Sequence, residues 1–232
     1  MKLWLAAAIG IAAIPLALQA LPKKVDRFFT EERINRFAHC FIEATDADVH
    51  LCKIDREHID WQLPEEGMPT FLMYAVANEQ KVNLTPVKLA YLIESGAEPE
   101  KVLGYVLTIS DFALFSQYVR SSGGPNAFGG RMLHDAAVFW REDRMALLVE
   151  ELGGDLEIRD PLSEETVVLT AKRSQHSDGP LAAINWLLDR GADPTAMDDR
   201  GRDLCEFVSR GPDVRRGITE EDLASLSERL GC

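Results

Sequence analysis

Apolar residues recur at helical spacing along most of this chain, and no segment shows a convincing strand-like alternation of apolar and polar positions. The helical segments are short and come in pairs that are joined by polar turns. The predicted pairs are 70–77 with 85–96, 103–109 with 112–119, 132–140 with 143–152, 166–171 with 180–190, and 203–208 with 220–230. This pattern predicts an all-α protein of about four to five helix pairs.

The second helix of a pair ends in a recurring way. From Trp186 to Pro194 an apolar helix end is followed by Gly191-Ala192-Asp193, and weaker copies lie at 91–99, 119–127 and 149–155. Glycine adopts the left-handed conformation that ends a helix without a Cβ clash. Self-similarity at a spacing of roughly 30 residues indicates a repeat array, in which short helix pairs bury their apolar faces against neighbouring pairs.

Capping signals support two of the helix starts. Thr85 is a predicted N-cap, and Pro86 suits the first helical position that follows it. Thr219 and Asp222 have the spacing of a capping box before the last helix. These signals place the starts of two second helices within a residue or two.

The first twenty residues differ from the rest. Lys2 is followed by an uncharged apolar run to Leu21, which is typical either of a cleaved signal peptide or of a single membrane anchor. We therefore divide the chain into a leader at 1–20, a helical cap at 21–63 and a helical-repeat domain at 64–232. A cleaved leader predicts a periplasmic or secreted protein. A retained leader predicts an inner-membrane anchor, which would be the chain's one contact with a membrane.

The helix pairs resemble the ankyrin repeat over roughly residues 64–208. Leu133-His134-Asp135-Ala136-Ala137 matches the first half of that repeat, and the stretch from Leu187 to Asp193 matches the second half. The resemblance implies a helical solenoid that binds another protein and has no enzymatic activity. It also implies a structural role for His134, as a bridge between neighbouring repeats.

The same resemblance places a binding face at the turn tips and the exposed sides of the first helices. The candidate partner-binding residues are Asn78, Phe128, Phe139, Trp140, Arg173, Asp199, Arg200 and Arg202, with Ala77, Val138 and Leu162 on the same face. Exposed aromatic side chains are enriched at binding hot spots. The alternative for Phe139 and Trp140 is that they fill the core between repeats.

Charge limits the class of partner. The formal net charge is -13 and the sequence pI is about 4.8, which argues against nucleic-acid binding through phosphate neutralisation. The expected partner is therefore another protein. One specific version is an exported inhibitor or immunity-type protein that neutralises a toxin or enzyme in its own compartment.

Histidine and cysteine residues cluster near the N-terminus. Cys40 and Cys52 could form a disulfide in an exported domain, whereas His39, His50 and His58 lie close by without any usual zinc spacing. We therefore expect no metal, no cofactor and no catalytic residues. Two alternatives remain open, namely a metal-dependent or hydrolytic enzyme that uses the 39–58 segment and a membrane-anchored cytoplasmic scaffold.

Overall fold

The computed structural model describes residues 32–53, 70–174 and 179–232, so the predicted leader and His58 lie outside the described residues. Within these ranges the chain forms eleven α-helices and no β-strand, which confirms the all-α prediction. Two isolated bridges, Arg159 with Thr166 and Asp213 with Ile218, close turns. None of the described helices combines the length and the apolar character that crossing a membrane requires.

The chain divides into two compact units, the first of residues 1–105 and 109–118 and the second of residues 106–108 and 119–232. Helices α4 and α5 cross these boundaries. The helices of the first part are α1 (Glu32–Glu43), α2 (Phe71–Ala77), α3 (Pro86–Glu94), α4 (Leu103–Val106) and α5 (Phe112–Ser121), with short 3₁₀ turns at Val49–Leu51 and Pro99–Val102. The predicted caps are confirmed here, since the Thr85 hydroxyl accepts from the Lys88 N–H and Pro86 begins α3.

Aromatic rings form the core of the first unit. Phe37 and Phe41 of α1 each pack edge-on against Phe71 of α2, with ring centroids 5.3 Å apart in both pairs. All three side chains are buried. This cluster joins α1 to the first predicted helix pair.

Lys88 provides a second connection between α1 and the first pair. Its side chain is fully buried, its ammonium donates to the carbonyl of Ile42 at 3.2 Å, and it lies 5.4 Å from the centre of the Phe41 ring. Burial lowers the pKa of Lys88, and the nearby carboxylate of Asp46 opposes that shift. A cation at the C-terminal end of α1 also complements the helix dipole.

The second unit continues the pairing of short helices. Its helices are α6 (Ala127–Phe139), α7 (Glu142–Ala146), α8 (Val167–Ala171), α9 (Gly179–Asp189), α10 (Leu204–Ser209) and α11 (Glu220–Leu230), with a π-helical turn at Leu147–Glu151 and a 3₁₀ turn at Val214–Arg216. Helix α8 packs against both α6 and α9, and α10 packs against α11. The predicted capping box of Thr219 and Asp222 is present at the start of α11.

The recurring helix endings are also present. At each one, the backbone N–H that follows a left-handed glycine donates to a carbonyl five or six residues earlier, as in a Schellman-type ending. These bonds run from Ala97 to Leu92 (3.1 Å), from Gly124 to Val119 (2.9 Å), from Gly154 to Leu148 (2.8 Å) and from Ala192 to Leu187 (3.1 Å). The glycines before them, Gly96, Gly123, Gly153 and Gly191, have φ values of 110°, 96°, 70° and 90°. The bond to Leu148 spans one residue more than the others because the helix there ends in the π turn.

All four cysteines of the chain are paired. Cys40 and Cys52 form a disulfide with a Cα–Cα distance of 5.6 Å, as the sequence suggested. Cys205 and Cys232 form a second disulfide with a Cα–Cα distance of 5.9 Å, which sequence analysis did not pair. The second bond joins α10 to Cys232, which lies two residues beyond the end of α11.

We predict that the double substitution Cys205→Ala/Cys232→Ala lowers the free energy of unfolding by roughly 3 kcal/mol, because the unfolded chain regains the entropy of an open loop. The two cysteines are 27 residues apart. Urea denaturation under oxidising conditions measures the change. Ser225→Ala, an exposed substitution on α11, is the control and should leave stability nearly unchanged. Equal midpoints for wild type and the double variant would contradict a stabilising role for this bond.

Candidate partner-binding site

One face of α6 carries a mixed set of polar and apolar side chains. Arg131, His134, Asp135 and Val138 follow one another at intervals of three, one and three residues, so they lie on the same side of the helix. Arg131 and Asp135 form an ion pair at 3.3 Å across one turn. This face forms one wall of the site.

A tight turn between Asp160 and Glu165 forms the opposite wall. The Asp160 N–H donates to the carbonyl of Glu165 at 2.9 Å, and the Asp160 carboxylate accepts from the N–H groups of Leu162 and Ser163, both at 2.9 Å. This arrangement directs Leu162 into solvent, where its side chain is 85% exposed. The hydrogen bonds of the turn therefore keep a large apolar side chain exposed to solvent.

Helix α8 and the residues after it close the site. The Thr170 hydroxyl lies 2.9 Å from Nδ1 of the buried His134. Arg173 forms an ion pair with Glu165 at 2.8 Å. His134 therefore connects α6 to α8, which agrees with the structural role that the sequence predicted for it.

Together these elements enclose a cleft of about 230 Å³. Among the described residues, its lining consists of Arg131, His134, Asp135, Val138, Asp160, Leu162, Ser163, Thr170 and Arg173. Val138, Leu162 and Arg173 of the predicted binding face meet here. The spacing of Arg131 on α6 could have identified it from the sequence, whereas Asp160 and Ser163 join the site only through the turn.

Two glycines let the turn approach α6 closely. Phe128, Gly129 and Gly130 have φ values of 55°, 65° and 72°, so the start of α6 contains a left-handed segment. A Cβ at Gly130 would lie 2.5 Å from Cγ2 of Ile158, and a Cβ at Gly129 would lie 3.0 Å from Cδ of Pro161. The predicted helix began at Met132 because this left-handed segment has no helical pattern in the sequence.

Burial and internal hydrogen bonds set the charges in the cleft. Burial raises the pKa of Asp135, and the Arg131 guanidinium opposes that shift. Burial also acts to raise the pKa of Asp160, but the N–H donors of Leu162 and Ser163 outweigh it and hold this pKa below its ordinary value. Burial lowers the pKa of His134 against the opposing charge of Asp160, which favours the neutral ring.

A buried ionic cluster lies next to the cleft and shares Arg173 with the cleft lining. Glu165 accepts from Lys172 at 2.7 Å as well as from Arg173, and the buried Asp198 accepts from Arg202 at 2.7 Å. The Asp198 carboxylate also accepts hydrogen bonds from the backbone N–H groups of Arg200 and Arg202, and these bonds fix the shape of the next turn. Arg202, a predicted binding residue, is therefore engaged in holding its own turn.

The remaining predicted binding residues are dispersed. Phe139 ends α6 with its side chain 55% exposed, whereas Trp140 is only 6% exposed and packs edge-on against Trp186 at 6.0 Å. Trp140 therefore belongs to the core between helices, which corrects its placement on the binding face. The half-buried Phe128 lies in the left-handed segment, outside the cleft lining.

Three other predicted residues lie outside the cleft lining. Asn78 caps the end of α2 in the first unit, where its amide donates to the carbonyl of Tyr74 at 3.0 Å. Asp199 and Arg200 occupy the turn that follows Asp198, and both are exposed. These two remain available at the surface, although they do not line the cleft.

The structure describes residues 39–53 of the 39–58 segment, and this part contains a disulfide. The disulfide uses both Cys40 and Cys52, so neither sulfur is a thiolate that could act as a metal ligand. Within the described ranges no group of three or more histidine, cysteine, aspartate or glutamate side chains is arranged to hold a metal ion. The disulfide connects the C-terminal part of α1 to the residue that follows the 3₁₀ turn at Val49–Leu51.

Comparison with known proteins adds no assignment. No protein-family model matches the chain, and no solved structure matches it with statistical significance.

We predict that Gly130→Ala lowers the free energy of unfolding by about 2 kcal/mol or more, since the new Cβ meets Ile158 and also strains a left-handed residue. Gly191→Ala is the matched control, because its φ is also positive but no atom lies near the added Cβ. Gly191→Ala should lower the free energy of unfolding by about 1 kcal/mol. Urea denaturation compares the two variants, and Gly130→Ala/Ile158→Ala should recover part of the loss. Equal losses for the two single variants would show that the close approach of Ile158 is unimportant.

We also predict a pH-dependent contribution of His134. Its pKa is lowered in the folded protein, so the unfolded chain binds the proton more readily. The contribution of His134 to the free energy of unfolding is complete above a pH of about 6.5. It falls as the pH drops below that value, by at most about 1.4 kcal/mol per pH unit. His134→Gln removes the titration, so the stability difference between wild type and variant should shrink between roughly pH 7 and pH 5. Urea denaturation across this range measures it, and parallel curves would contradict the shift.

Proposed function

We propose that this chain is a non-enzymatic protein-binding module of ankyrin-like helix pairs, which holds a partner protein at the cleft of its second unit. The observation that carries this proposal is the exposed Leu162, which a hydrogen-bonded turn holds at the mouth of a cleft with charged walls. An isolated apolar side chain on a surface is ordinary. One that is fixed beside a cleft and flanked by arginines has the composition of a binding hot spot.

The helix endings support the ankyrin-like part of the proposal. Four pairs end in the same left-handed glycine with the same type of backbone bond. His134 bonds to the following helix α8, as expected of a residue that connects neighbouring repeats. Chains of this kind present turn tips and first helices to their partners.

The cysteines support an exported location. Both disulfides are of the kind that persists in oxidising compartments and is rare in the cytosol. This fits the apolar segment at 1–20, either as a cleaved leader or as an anchor that leaves the helical part outside the cytosol. It favours a periplasmic or secreted protein over the alternative of a cytoplasmic scaffold.

An inhibitor or immunity-type protein is the most specific form of the proposal. Such a protein binds one toxin or enzyme in its own compartment and blocks it by covering its surface. A preformed cleft on buried helices loses little conformational entropy on binding, which favours high affinity. This version rests on analogy with other exported binding proteins.

We predict that Leu162→Ala weakens binding to the native partner by roughly tenfold or more, because this large apolar side chain is exposed and lines the cleft. The partner is first captured from the native compartment and identified by mass spectrometry, and calorimetry then compares the variants. Met197→Ala is the matched control, since Met197 is also exposed but does not line the cleft. An unchanged affinity of the Leu162→Ala variant, with its helical circular dichroism intact, would rule out the cleft as the binding site.

A further inference from the structure

The charges at the cleft are not equally accessible. The side chains of Arg131 and Arg173 are 48% and 51% exposed, whereas the paired carboxylates of Asp135 and Glu165 are much more covered. One oxygen of the Asp160 carboxylate already accepts from Leu162, Ser163 and the Ser163 hydroxyl. Although acidic and basic groups occur together here, the two arginine side chains keep about half of their surface in solvent, and each ion pair uses only one of the nitrogens of its guanidinium group.

This local surface contrasts with the whole chain, whose formal net charge is -13. A long-range field of that sign attracts basic partners and repels acidic ones. Two arginines exposed beside one cleft therefore distinguish between partners through direct contacts, and not through the long-range field of the whole chain. A guanidinium donates to a carboxylate through two parallel N–H groups, which gives the contact a defined geometry.

The size of the cleft restricts what can enter it. Its volume of about 230 Å³ is below the range of roughly 300–1,000 Å³ that is typical of sites for whole small molecules. Leu162 stands almost fully in solvent at the rim, and Val138 contributes apolar surface to the wall. A short part of a larger partner, with one side chain inside and its neighbours against the rim, suits these dimensions.

We propose that the cleft accepts a protein segment in which an aspartate or glutamate lies next to a large apolar residue. The carboxylate pairs with Arg131 and Arg173, and the apolar side chain packs on Leu162 and Val138. This inference rests on the proposed function, and it names the chemistry of the partner. A phosphate backbone is a poor occupant because the strongly acidic chain repels a polyanion along its whole length.

A random 12-residue peptide library displayed on phage is the probe, and the full chain is the target. We expect the enriched sequences to carry Asp or Glu within two positions of Leu, Ile, Phe or Trp. Synthetic copies of these peptides should bind Arg131→Gln/Arg173→Gln roughly tenfold more weakly than wild type, because two half-exposed ion pairs are lost. Leu162→Ala should weaken the same peptides without changing their preference for acidic residues.

The controls separate charge, geometry and folding. Arg210→Gln removes an arginine that is 58% exposed at the end of α10 and does not line the cleft, and it should leave peptide binding unchanged. Arg131→Lys/Arg173→Lys keeps the charge but loses the parallel donors, so it should restore only part of the affinity. Helical circular dichroism and the unfolding midpoint of each variant show whether the fold is retained.

Enrichment of peptides without acidic residues, or no enrichment at all, would overturn the inference. Equal binding to wild type and to a folded Arg131→Gln/Arg173→Gln variant would also overturn it. The proposed function is tested separately, through the native partner and the Leu162→Ala variant. A captured partner that depends on Leu162 but not on the arginines would leave the proposed function standing and remove this inference alone.

Discussion

Burial of the five-residue helix α8 is the constraint on which the second unit depends. Isolated helices shorter than roughly 12–15 residues are marginal in water, so α8 is helical only because neighbours cover it. All five of its side chains are buried, and it packs against both α6 and α9. The ion pairs of Glu165 and the bond from Thr170 to His134 then attach the preceding turn and α6 to this buried segment. The cleft is a product of that packing.

In two turns of the second unit, one residue maintains the shape and another occupies the exposed tip. Asp160 and Asp198 each donate a backbone N–H across the base of a turn and accept N–H groups from within it. The first turn is one residue longer, and it exposes Leu162 where the second exposes Arg200. The aspartates maintain the shape, so the residues at the tips are free to differ. The residue at the tip can therefore be substituted without altering the helices below.

Local signals were predictable from the sequence, whereas long-range packing was not. The caps at Thr85 and Thr219 and the glycine endings depend on neighbouring residues alone, and the structure has them where the sequence placed them. Trp140 is different, because its burial depends on a left-handed φ of 43° and on the distant Trp186. The cleft likewise needs the approach of Ile158 to Gly130, and the Cys205–Cys232 pairing needs the packing of α10 on α11. No periodicity encodes these contacts.

The positions of the disulfides bear on how the fold opens. A terminal helix has a neighbour on one side only, so it frays more readily than an internal one. Cys40–Cys52 anchors the C-terminal part of α1, and Cys205–Cys232 anchors the end of α11, so each bond restrains a helix near one end of the described chain. In the oxidised protein the amide hydrogens of α11 should therefore exchange with solvent nearly as slowly as those of α9. Reduction of the two bonds would then loosen both ends of the described chain before its centre.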